Sequence, residues 1–66
     1  MVRIPGEPVE IGGVKYQLEV SPKVAEVFKG RTRRMGISEE EFLAIIHEER
    51  GDLTERVLYD YLKMSG

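Results

Sequence analysis

Two sets of polar residues in this 66-residue chain have the types and spacing to do chemistry. The first is Lys15, Gln17 and Glu19, which alternate with Val14, Tyr16, Leu18 and Val20. A period of two puts the polar side chains on one face of a strand and the apolar ones on the other. Lysine, glutamine and glutamate supply a cationic donor, an amide that donates and accepts, and an anionic acceptor. The second set is a run of cations, Lys29, Arg31, Arg33 and Arg34, with Lys23 before it. Such a run either solvates a helix face or meets phosphates or an acidic partner. Glu39-Glu40-Glu41 follow directly, and acids in the first turn of a helix complement its dipole.

Catalytic chemistry has little to work with. His47 is the single histidine, set between Ile45-Ile46 and Glu48-Glu49, and a general base needs a positioned partner and a pocket. It reads as a partly exposed helix residue or one paired with a carboxylate. His47, Glu48 and Glu49 lack the spacing of a metal cage. Ser21 and Ser38 read as helix caps and Ser65 as tail. Gly12-Gly13 lies between strands, not ahead of a helix, so it is no phosphate loop. Cysteine is absent, which removes disulfides, thiolate metal sites and cysteine nucleophiles together. No catalytic residue, metal or cofactor is expected.

The elements that must position these residues follow from local signals. Residues 1–7, with Pro5 and Gly6, read as a flexible arm. Residues 8–20 read as a strand or a β-hairpin, since Gly-Gly between two alternating runs suits a turn with positive φ at both positions. Ser21 caps a helix over 22–35, with Pro22 in its first position and Gly36 as its left-handed C-cap. Val24, Val27, Phe28, Arg31 and Met35 share one face of it, with Ala25 beside them and Thr32 at the edge. Gly30 inside this helix either admits another backbone or shortens the helix. Ser38 with Glu41 makes a capping box for a helix over 38–50, whose stripe is Phe42, Leu43, Ile45 and Ile46, and Gly51 ends it. Asp52 with Glu55 repeats the cap pattern for a helix over 53–63 with Leu53, Val57, Leu58, Tyr61 and Leu62 on its apolar face. Met64-Ser65-Gly66 is expected to fray.

Length bounds the answer to one domain, residues 1–66, with a core that is marginal by itself. A net charge of -2 argues against an anionic partner when taken as an average. The average hides a split: residues 1–38 carry +3 and residues 39–66 carry -5. With no long apolar stretch and no signal-peptide pattern, a soluble, cytoplasmic protein without membrane contact is expected.

The stretch from Leu18-Glu19-Val20-Ser21-Pro22 through Gly36-Ile37-Ser38 to Ile45-Ile46 resembles the ribbon-helix-helix DNA-binding family, over about residues 14–50. The resemblance implies a mostly α fold with a short β element, a strand or hairpin followed by two to three helices, built as an intertwined homodimer. Two subunits would pair their strands into one ribbon. Its polar face, Lys15, Gln17 and Glu19, would read bases in the major groove. The amides near Ile37 and Ser38 would hold a backbone phosphate, and Lys29, Arg33 and Arg34 would add phosphate contacts. The implied function is a sequence-specific transcription regulator or antitoxin-like protein acting on double-stranded DNA. Glu19, the Glu39–Glu41 run, and the added Gly12-Gly13 hairpin and third helix depart from that pattern. The alternative is a small protein–protein interaction module that binds no DNA. It would use an acidic C-terminal helical surface of Glu48, Glu49, Asp52, Glu55 and Asp60, with the hairpin completing the core of a single chain. A helix-turn-helix reader ranks below both, because its recognition helix would meet phosphates with the wrong sign.

Overall fold

Gly12 and Gly13 turn the chain back on itself with φ of 61° and 82°, the left-handed pair that a tight two-residue hairpin turn requires. The computed structural model describes residues 1–64. It shows an antiparallel hairpin of β1 (Val2–Ile11) and β2 (Val14–Val20), followed by α1 (Pro22–Met35), α2 (Glu39–Arg50) and α3 (Glu55–Met64). Ser65 and Gly66, expected to fray, lie outside the described residues; Met64 closes α3.

The segment expected as a flexible arm is most of β1. Pairing runs from Ile11↔Val14 to Val9↔Tyr16, breaks, and resumes at Ile4↔Leu18 through Val2↔Val20. In the break, the four residues Pro5 to Pro8 stand opposite the single Gln17. Both prolines thus fall where the ladder asks for no N–H donor, which is how a proline-bearing segment joins a sheet. The Gln17 side-chain amide fills the bulge, its Nε2 donating to the Pro5 carbonyl at 3.1 Å and the Gly6 carbonyl at 2.9 Å. Ile4 and Val9 are five residues apart, which would put them on opposite faces of a regular strand. The bulge returns both to the inner face, where both are buried.

The helices start and stop as their caps dictate. Ser21 Oγ accepts from the Val24 amide at 3.3 Å, and Ser38 Oγ from the Glu41 amide at 3.1 Å. Gly36, at φ 70°, donates back to the Thr32 and Arg33 carbonyls and ends α1. The cap of α3 is Thr54, not Asp52. Thr54 Oγ1 accepts from the Val57 amide at 3.1 Å, while Asp52 Oδ1 accepts from the adjacent Leu53 amide at 2.8 Å.

One core joins every element: Ile4, Val9, Leu18 and Val20 of the hairpin, Ala25 and Phe28 of α1, Phe42, Leu43 and Ile46 of α2, Leu53, and Leu58 and Leu62 of α3. Phe28 and Phe42 stack with centroids 5.3 Å apart, and Phe42 meets Tyr61 edge-on at 5.8 Å. The buried stripe of α1 differs from the expected one. It is Ala25, Phe28 and Thr32, while Val24 is half-buried and Val27 and Met35 are exposed. Thr32 can be buried because its hydroxyl donates to the Lys29 carbonyl at 2.7 Å, so no donor is stranded. Gly30 neither shortens α1 nor admits a backbone: α1 runs through it, and a Cβ there would meet nothing within 4 Å.

Two substitutions check this account by urea denaturation. Phe28→Ala removes the ring at the hub of the core and is expected to cost about 3–5 kcal/mol. Gly30→Ala fills open space on a helix and is expected to gain about 0.5–1 kcal/mol.

Candidate functional site

The outer face of the hairpin carries the proposed reading residues, and the structure brings Lys15, Gln17 and Glu19 to that side of β2. Lys15 and Glu19 are exposed and Gln17 is half-buried. Two of the three are already engaged. Gln17 is bound to the bulge carbonyls, and Glu19 lies 3.4 Å from Arg3, its register partner on β1. Lys15 stands opposite Glu10 in the same ladder. The face is thus compensated in charge across its two strands: cation faces anion at both Arg3↔Glu19 and Glu10↔Lys15. The Arg3–Glu19 pair is exposed at both ends and contributes little to stability.

The proposed phosphate contacts separate into two groups. Lys29, Arg33 and Arg34 are exposed on α1. Arg31 is half-buried, and its charge reaches the Tyr61 phenol. At the α1–α2 turn the Ile37 amide donates to the Thr32 carbonyl at 3.2 Å, which completes the C-cap of α1 and takes that donor from any phosphate. The Ser38 side chain caps its own helix. Glu39, Glu40 and Glu41 occupy the first turn beside it, so an anion placed there meets three carboxylates before it meets the helix dipole.

His47 is half-buried and its partner is a phenol, not a carboxylate. The Tyr16 hydroxyl lies 3.2 Å from His47 Nε2, with ring centroids 5.4 Å apart. The pair ties β2 to α2 across the core edge. Sequence reasoning missed it because the two residues are far apart in the chain and meet only once the hairpin folds over α2.

A polar cluster joins α2 to α3. The Tyr61 hydroxyl donates to Glu49 Oε2 at 2.5 Å, and the Arg50 guanidinium lies 5.7 Å from the Tyr61 ring centroid, within cation–π range. Arg50 also reaches the Met64 sulfur at 2.9 Å. Glu48, Glu49, Asp52, Glu55 and Asp60 are all exposed. Among the described residues no three His, Cys, Asp or Glu converge to hold a metal ion, and no helix is long and apolar enough to cross a membrane. A comparison with protein-family models, with curated proteins and with solved structures finds no match to this chain.

The Tyr61 phenol is held above its ordinary value. The hydrogen bond to Glu49 is the main cause, followed by desolvation and the Glu49 charge, against smaller opposing effects of Arg50 and Arg31. Ultraviolet titration of the wild type against Tyr61→Phe is expected to place this phenol above an unperturbed tyrosine, and Glu49→Gln should bring it down. Because the folded value is raised, the stability linked to this proton is fully present below the unfolded value. It is lost as pH rises through the folded one.

Proposed function

We propose that this chain is a small protein–protein interaction domain that presents an acidic helical surface to a basic partner. The observation that carries this reading is the closure of the core within one chain. Ile4, Val9, Leu18 and Val20 cover the three helices from a hairpin whose strands pair with each other. No second subunit is needed to bury Phe28, Phe42, Leu43, Ile46 or Leu58. The residues that a ribbon reader would use are engaged at home, Gln17 by the bulge and Glu19 by Arg3. The acidic half of the chain turns Glu48, Asp52 and Asp60 to solvent, and no close ion pair neutralises them among the described residues. Rim charges of this kind steer and select a partner of opposite sign.

The test is an anisotropy titration with a labelled Lys/Arg-rich peptide and, separately, a labelled DNA duplex at low salt. The peptide is expected to bind, and Glu48→Lys with Asp52→Lys to weaken it by about tenfold. The duplex is expected not to bind. A duplex that binds while the peptide does not would overturn the reading.

A second reading is a dimeric DNA-binding regulator of the ribbon type. Two observations favour it. Lys29, Arg33 and Arg34 are outward and, among the described residues, form no close ion pair. Among the described residues the sheet has two strands, so the far edge of β2 has no partner strand there, and a second copy could pair with it. On this reading Arg33→Ala with Arg34→Ala weakens all duplexes alike. It also flattens the slope of log affinity against log salt by about 2. An unchanged slope would exclude those arginines from the contact.

A further inference from the structure

α3 carries an exposed ridge at Glu55 and Tyr59, continued by Lys63, spaced by four and therefore stacked along one side of the helix. Between this ridge and α1 lies an open apolar groove. One part, of about 320 Å³, is lined by Lys23, Val24, Val27, Tyr59, Leu62 and Lys63. A second part, also about 320 Å³, lies between Val24, Glu55, Arg56 and Tyr59. Val27 and Tyr59 are 47% and 53% exposed, so an aliphatic and an aromatic side chain face water side by side at the groove. The other large apolar side chains exposed among the described residues are Met1, Val14, Met35 and Met64, and none of them lines it.

The ridge carries opposite charges at its two ends, with Arg56 beside Glu55 on the groove side. Glu55 stands at one end of the ridge, Lys63 with Lys23 at the other, and Tyr59 midway. A uniformly acidic segment laid along it meets Glu55. A uniformly basic one meets Lys23, Lys63 and Arg56. The surface that fits carries the same order reversed, and α3 itself has that order when turned end for end. Glu55 and Lys63 are eight residues apart, about 12 Å along the helix, so the reversed copy stays in register with Tyr59 at the centre.

We propose that a second copy of this chain covers the groove, with α3 packed antiparallel on α3 about a two-fold axis at Tyr59. Glu55 of each copy then faces Lys63 of the other, and the two Tyr59 rings meet at the axis, each flanked by Val24 and Val27 of its own copy. The contact is isologous, so the Glu55–Lys63 pairing occurs twice and the assembly closes at two. The apolar centre is small compared with standard interfaces, so the dimer is weak, with Kd on the order of 10–100 µM. This contact uses neither the sheet edge nor the acidic residues Glu48 and Asp52, and it stands independently of the partner proposed above.

The experiment is sedimentation equilibrium of the full chain at moderate salt. It covers the wild type, Glu55→Lys, Lys63→Glu and the double variant, with folding checked by circular dichroism. The wild type is expected to dimerise. Each single reversal creates two like-charge contacts per dimer and weakens association by about tenfold or more. The double variant is expected to recover it, although its helix dipole is the least well complemented of the four, so recovery cannot come from helix stability. Mixing the two single variants should give a heterodimer, since a ridge with cations at both ends then meets a ridge with acids at both ends. This arm serves if the double variant does not fold. A wild type that stays monomeric to about 500 µM, or a dimer indifferent to both single reversals, would overturn the proposal.

Discussion

The pairing of β1 with β2 inside one chain is the constraint on which the rest of the molecule depends. A lone strand carries two unsatisfied backbone edges and half a hydrophobic face, and it must find both a neighbour and a core. In this chain the neighbour is Val2–Ile11, brought round by Gly12-Gly13. The four-residue bulge from Pro5 to Pro8 lets that neighbour keep Ile4 and Val9 inward, and the Gln17 amide binds two of the bulge carbonyls. Loss of the bulge or of Gln17 would shift the register of the N-terminal half of β1, and a one-residue slip turns its apolar set outward.

From that pairing follows the division of the surface. The hairpin's outer face sets its charges against each other across its own strands, at Arg3↔Glu19 and Glu10↔Lys15. The helices keep theirs for solvent or for partners. The cations collect on α1, with Lys29, Arg33 and Arg34 outward, and the acids on the later helices and the loop between them, with Glu48, Asp52 and Asp60 outward. Between α1 and α3 lies a groove in which exposed apolar side chains meet charges of both signs. A chain whose net charge is only -2 therefore presents surfaces of distinct character.

Much of this is legible in the sequence, and the misses have physical causes. The caps at Ser21, Ser38, Gly36 and Gly51 are local, made by residues within a few positions of one another, so their signals survive without tertiary information. The hairpin turn is legible for the same reason. The first strand is not: Pro5, Gly6 and Pro8 speak against a strand, and the compensating Gln17 lies more than ten residues away. The buried face of α1 departs from its pattern because residue type favours Val27 and Met35, whereas packing selects the small Ala25 and the internally satisfied Thr32. The Tyr16–His47 and Tyr61–Glu49 contacts join residues on different elements, and no periodicity announces them. Of the site residues, exposure of Lys15, Lys29, Arg33 and Arg34 is readable from pattern, while the internal engagement of Gln17 and of the Ile37 amide emerges only with the fold.

The central claim is that β1 and β2 belong to one closed unit in a single chain. Amide hydrogen exchange on the dilute protein, read residue by residue along Val2–Ile11 and Val14–Val20, tests it most directly. The account predicts that the paired amides of both strands are protected together, to the same degree, and independently of protein concentration. Exchange of residues 1–11 as an open segment, with β2 protected only at concentrations where a dimer is populated, would contradict it.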